Sequence, residues 1–169
     1  IAFGNSSDTL FSAGDNTLRQ WNTRTGKEEQ KVEVTDGQVR AFALDPKSQF
    51  AVIGDNAGRL TTWTLDTGRK LLSLARHADE ISDVAVSPDG RWIASCGLDG
   101  MLAIHSSSDG KLHRNLSGSK AKLQCLSFRP DSQHIAAGSH AGDVFVWMVA
   151  DGTLQPGVAD AGTDVIFRL

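Results

Sequence analysis

The sequence predicts an all-β fold: a β-propeller of four-stranded antiparallel blades, with four blades in this chain. Three observations carry that prediction. Trp21, Trp63, His105 and Trp147 recur at a constant step of 42 residues. Pro46, Pro88 and Pro130 keep the same step, as do Val39, Ile81, Leu123 and Val165, and the turn pairs Thr25-Gly26, Thr67-Gly68, Asp109-Gly110 and Asp151-Gly152. Self-similarity at roughly 40 to 45 residues marks a propeller in which each repeat is one blade, whereas a β-sandwich with regular turns requires no identical intervals. Finally, no stretch shows a long helical apolar pattern with caps at both ends.

The repeats run 1–34, 35–76, 77–118 and 119–160 within a single propeller region, 1–169, and 161–169 starts a fifth. The third repeat shows the strand logic best. Ile81 to Val86 mixes apolar and small residues, as a half-buried strand does. Ser87-Pro88-Asp89-Gly90 is a turn, since proline presets φ and glycine accepts a positive one. Arg91 to Cys96 reads as the second strand, Gly97 to Gly100 as a turn and Met101 to His105 as the third strand. A further turn over 106–110 leads to a polar fourth strand, Lys111 to Leu116. The gradient from apolar to polar fits a blade whose last strand faces water.

The segment HADEISDVAVSPDGRWIASCGLDGMLAIH, residues 77–105, resembles a repeat of the WD-repeat β-propeller family, and the resemblance extends over nearly the whole chain in four degenerate copies. It implies a polar tetrad in each blade: a histidine before the first strand, a serine or threonine in the second, an aspartate in the following turn and a tryptophan in the third. His77, Ser95 and Asp99 fill three of these places in the third copy, and His105 stands where tryptophan is expected. The first copy keeps Asp15 and Trp21. The second keeps Trp63, with Thr35, Ile53 and Ala57 at the polar places. The fourth keeps Trp147, with Ser119, Ala137 and Ala141. The expectation is that Trp21, Trp63 and Trp147 are largely buried at equivalent places, and that His105 is a structural residue hydrogen-bonded to Asp99 or Ser95.

The pattern begins near the end of a first strand and stops inside another, so the chain reads as a stretch of a larger propeller. Four blades closing alone, or two chains forming an eight-bladed ring as a homodimer through blade edges, are the alternatives. With 22% charged residues, 40% hydrophobic residues and a net charge of −3, the chain lacks the basic balance of a nucleic-acid binder. No apolar run approaches the roughly 18 residues that a membrane span needs. Cys96 and Cys125 fall in strand patterns, which suggests two free buried thiols and a reducing, cytoplasmic setting, although a disulfide between neighbouring blades is the alternative.

Catalytic motifs are missing: there is no Gly-x-Ser-x-Gly elbow, Gly-rich phosphate loop or Cys-x-x-Cys pair. The acidic turns Asp15-Asn16, Asp55-Asn56 and Asp99-Gly100 lack the spacing of a calcium loop. The expectation is therefore no catalytic, cofactor or metal residue. The family resemblance implies a non-enzymatic scaffold for protein–protein interaction, binding a protein or peptide through one loop rim. That rim takes in Gln38, Arg40 and Asn56 from the second copy, Asp79, Glu80 and Leu98 from the third, and Lys120, Lys122 and His140 from the fourth. Two alternatives remain: a regulatory or sensor propeller fused to a catalytic domain, and a propeller binding small ligands or glycans.

Overall fold

A computed structural model describes residues 1–35, 37–74, 77–116 and 121–156. Ser119, Lys120, Val165 and the start of the fifth repeat lie outside the described residues. The first sheet orders β1 (Ala2–Phe3), β2 (Thr9–Gly14), β3 (Thr17–Asn22) and β4 (Glu28–Glu33). The second orders β5 (Val39–Leu44), β6 (Phe50–Asp55), β7 (Leu60–Thr64) and β8 (Lys70–Ser73). The third holds β9 (Ile81–Val86), β10 (Trp92–Gly97), β11 (Leu102–Ser106) and β12 (Leu112–Leu116). The fourth has β13 (Leu123–Phe128), β14 (His134–Ser139) and β15 (Val144–Met148), and Leu154 bridges to Trp147 at the place of a last strand. Neighbouring strands within each sheet are antiparallel. This is the propeller-blade pattern, with β5, β9 and β13 side by side from sheet to sheet.

The core is a series of slabs between successive sheets. Phe11, Leu18 and Val34 pack on Ala51 and Ile53 at the first joint. Val52 and Leu60 meet Ile81, Val84 and Ile93 at the second. Ala94, Cys96, Leu102 and Ile104 meet Leu123, Leu126, Ile135 and Trp147 at the third. No such cluster joins the first sheet to the fourth among the described residues.

Register explains the 42-residue ladder. In every sheet a first-strand residue, a second-strand residue and the ladder residue lie directly opposite one another: Phe3–Leu10–Trp21, Leu44–Ala51–Trp63, Val86–Ile93–His105 and Phe128–Ile135–Trp147. Directly opposed residues share one face of a sheet. In the last three sheets, this leading face meets the preceding sheet. Burial along the ladder is correspondingly uneven. Trp147 is 1% exposed, whereas Trp63 and Trp21 are partly buried, so the three equivalent tryptophans are covered to different degrees. Trp21 lies on the face of the first sheet turned away from the second, outside the core clusters of the described residues.

The turn after the first strand carries a cross-sheet tie. Gly90 has a φ of 75°, and its equivalents Ser48 and Ser132 hold φ values of 52° and 61°. Left-handed backbone costs a non-glycine residue about 1 kcal/mol. Each serine uses its hydroxyl to offset this: Asp89 N donates to Ser132 Oγ at 3.1 Å, and Asn5 N donates to Ser48 Oγ at 3.1 Å, in both cases from the preceding sheet. We expect Ser132→Ala, which keeps the strain and loses the bond, to cost about 1 kcal/mol. Ser132→Gly, which loses both, should be close to neutral. Urea unfolding of the two variants checks this, and equal losses would disprove the tie.

Candidate functional site

The polar residues of the third sheet assemble as a network. Asp99 lies in the turn after β10, where it accepts from Ala78 N at 2.9 Å and Met101 N at 3.0 Å. Burial pushes its carboxyl upward, but the His77 hydrogen bond and these two amides outweigh that and hold it below the usual carboxylate range. An ionised carboxylate only accepts. His77 Nδ1 therefore donates to it, with both oxygens at 3.1 Å. In the neutral ring Nε2 then accepts from Ser95 Oγ at 2.8 Å.

The order Ser95–His77–Asp99 is also that of a hydrolase triad, but its setting rules out that chemistry. Ser95 is 0% exposed and His77 2%, so no substrate carbonyl can reach the hydroxyl. Gly97 seals the network. A Cβ there would stand 2.8 Å from Glu80 O and 3.0 Å from His77 Nδ1. The network acts as glue, pinning the segment before β9 to the turn after β10.

His105 does not join it. Its ring is 0% exposed, and neither Nδ1 nor Nε2 has a hydrogen-bond partner. This corrects the expected bond to Asp99 or Ser95: Ser95 is already taken by His77. Burial, and secondarily the nearby His77, pull the His105 pKa down to about 4. Thr62 Oγ1, opposite Val52 on the face of the second sheet that meets the third, is likewise buried and unpartnered. The corresponding residues one joint later are Ile104 and Trp147, both in the core cluster.

The other sheets use different polar pairs. In the first, Trp21 Nε1 donates to Ser12 Oγ at 2.8 Å. Asp15 plays no part there. With φ values of 46° and 57°, Asp15 and Asn16 make a tight hairpin turn. In the second, Trp63 Nε1 donates to Thr61 Oγ1 at 3.0 Å, not toward Ile53. Thr35 Oγ1 and Arg59 Nε both donate to Asp55 Oδ2 at 2.6 Å, while the Ala57 and Arg59 amides donate to Oδ1 at 2.9 Å. Burial raises Asp55, but these bonds prevail and its pKa is lowered. The sequence reading put Ala57 at this place and took Asp55 for a turn former. The missed signal was Asp55 and Arg59 flanking a Gly58 turn. In the fourth sheet, Ser139 Oγ accepts from Ala141 N and Asp143 N, both at 3.1 Å, and Ala141 takes part through its amide alone.

The rim residues fall into matched pairs. Asn56 N donates to Gln38 O at 3.0 Å, Leu98 N to Glu80 O at 2.9 Å and His140 N to Lys122 O at 2.9 Å. The same bond thus recurs on three sheets and draws both rim loops together. Gln38, Asn56, Asp79, Lys122 and His140 are exposed, whereas Glu80 and Leu98 are half-buried. Arg40 is engaged: its Nε lies 2.8 Å and its Nη2 2.7 Å from Glu80 Oε1, across the second joint. A shallow polar hollow between the first two sheets is lined by Asp15, Asn16, Gly37, Gln38 and Asn56.

Cys96 and Cys125 are buried and not joined in a disulfide, and burial pushes the Cys96 thiol up to about 12. His113 stacks on Trp92 with ring centroids 4.3 Å apart and contacts Val149 O at 3.2 Å. His134 is half-buried. Among the described residues no three His, Cys, Asp or Glu side chains converge as a metal-binding group.

A family model described as "WD domain, G-beta repeat" matches residues 68–106 and 107–148. Each match begins near the last strand of one sheet and ends on the third strand of the next. The chain is 28% identical over 127 residues to WD repeat-containing protein 1 of Mus musculus, covering 73% of this chain and 21% of that protein. It is 26% identical over 151 residues to Autophagy-related protein 16 of Arabidopsis thaliana, covering 86% of this chain and 29% of the relative. Target of rapamycin complex subunit wat1 of Schizosaccharomyces pombe is 24% identical over 140 residues, with shares of 82% and 44%. The chain therefore spans less than half the length of each of these relatives.

Proposed function

We propose that this chain, whose residues 68–106 and 107–148 are WD repeats, is a non-enzymatic scaffold that binds a protein or peptide partner through one rim. The observation that carries the reading is the recurring rim pair. One backbone bond repeats on three sheets, so the scaffold is constant, while the side chains it presents differ: Gln38 and Asn56, then Glu80 and Leu98, then Lys122 and His140. A repeated ligand or glycan pocket needs the same side chains in each blade, and these differ. A continuous, varied rim instead suits an extended partner. A net charge of −3 favours protein over nucleic acid. The relative named as a complex subunit supports an assembly role.

Charge reversal tests the reading. Arg40 and Glu80 neutralise each other, and Asp79 and Lys122 are exposed charged residues among the described rim positions. The double variant Asp79→Lys/Lys122→Glu should retain the fold and weaken capture of interacting proteins at least about tenfold, about 1.4 kcal/mol. The outer-strand variant Lys70→Glu should leave capture intact. Quantitative affinity capture reads both. Equal capture by wild type and rim variant would sink the rim assignment.

A further inference from the structure

We propose that the polar hollow between the first two sheets receives an arginine side chain of the bound protein. The inference rests on the rim reading above and names the chemistry of one contact. The hollow encloses about 540 Å³ and is lined by Asp15, Asn16, Gly37, Gln38 and Asn56. That is room for one long polar side chain. Asp15 brings the charge to this lining. It is exposed, and among the described residues nothing donates to its carboxylate. The backbone of the first sheet is bent to present it. Gly58, Gly100 and Gly142 follow Asn16 at steps of 42 residues, in the same turn of the other three sheets, with φ values of 74°, 77° and 86°. Those turns use the residue that adopts left-handed backbone freely. The first sheet sets two side chains there instead, Asp15 at 46° and Asn16 at 57°. Asp-Gly is a preferred pair for such a two-residue hairpin, so Asn16 keeps a side chain where the turn alone favours none. Side chains held in sparsely populated backbone cluster at functional sites.

The second sheet fixes the other wall. Asn56 N donates to Gln38 O at 3.0 Å, and Gln38 N donates to Asn56 Oδ1 at 3.0 Å, so the two residues hold each other. A Cβ on Gly37 would stand 2.5 Å from Asn56 Oδ1, and glycine leaves the amide its place. The same Cβ would stand 3.0 Å from Arg59 Nη2. That guanidinium is a cation behind the wall, but its Nε lies 2.6 Å from Asp55 Oδ2, which neutralises it. The acceptors left to a ligand are the two carboxylate oxygens of Asp15 and the side-chain oxygens of Asn16 and Gln38. A guanidinium presents five donors in one rigid plane and engages a carboxylate through two of them at once. It therefore satisfies the carboxylate and the amide oxygens together, which a neutral side chain does not.

The test is a titration of the isotope-labelled protein with acetyl-arginine amide, followed by the shifts of its backbone amide resonances. Wild type should show saturable shifts, in the millimolar range, centred on Asp15, Asn16, Gly37, Gln38 and Asn56. Asp15→Asn places a residue equally at ease in left-handed backbone and should weaken binding at least about tenfold. Asn16→Gly should raise the urea midpoint, because it relieves the turn, and yet weaken binding. Acetyl-citrulline amide, the uncharged isostere, should cause no such shifts. A wild type without saturable shifts at the hollow overturns the proposal, as do shifts matched by citrulline amide or binding unaffected by Asp15→Asn. Any of these outcomes leaves the rim assignment standing. That assignment fails separately, if the Asp79→Lys/Lys122→Glu variant captures partners as well as wild type does.

Discussion

Truncating Trp147 to alanine should destabilise the chain by about 3 to 5 kcal/mol, the cost of removing a buried large aromatic and leaving a cavity. Trp147 is 1% exposed and lies in a cluster with Leu102, Ile104, Leu123 and Ile135. Phe145 stacks on it with centroids 5.6 Å apart. That joint is the largest apolar slab, so little nearby can collapse into the space. The same truncation should cost less at Trp63, which is half-buried against the first sheet, and least at Trp21, which lies outside the core clusters of the described residues. Chemical unfolding of the three variants should rank them in that order. Equal losses at Trp21 and Trp147 would falsify the assignment of faces.

That ranking also marks where the sequence stops being informative. The ladder of Trp21, Trp63, His105 and Trp147 was legible because each stands at the same register position of its own sheet, set within a single repeat. Burial was not legible, because a propeller residue is covered by the neighbouring sheet, and the repeat does not record whether that neighbour exists. The third-sheet network of His77, Ser95 and Asp99 could be read because the residues keep the WD-repeat pattern. The second-sheet network could not. Asp55 and Arg59 do the work there from positions shifted from the pattern, and an aspartate beside Asn56 looks like an ordinary turn former. The rim pairs were legible as positions, but the Arg40–Glu80 ion pair was not, since it joins side chains from two repeats.

Replacing His105 with phenylalanine should stabilise the protein at neutral pH and remove much of its acid sensitivity. The ring is fully buried, and both nitrogens lack partners. An unsatisfied buried polar group costs about 1 to 3 kcal/mol, so an apolar ring gains by removing it, less any overpacking. The pH dependence has a definite sign. In the folded chain His105 titrates at about 4, against an ordinary value of 6.5. Between those values the unfolded chain binds a proton that the folded chain does not, so stability falls as pH drops from 6.5 toward 4. The full shift corresponds to about 3 kcal/mol, and about 2 kcal/mol of it is expressed by pH 5. Asp55 and Asp99, whose carboxyl pKa values are lowered, lose their contributions only as pH falls below the ordinary carboxylate value of 3.8. The window between pH 6.5 and 4 therefore isolates the histidine when wild type is compared with His105→Phe. Urea unfolding at pH 7 and pH 5 should show the wild type losing about 2 kcal/mol more than the variant. Chelator should move neither melting curve. A common pH slope for both proteins, or a chelator-dependent drop confined to the wild type, would show that His105 is not the buried, neutral, unpartnered group described here.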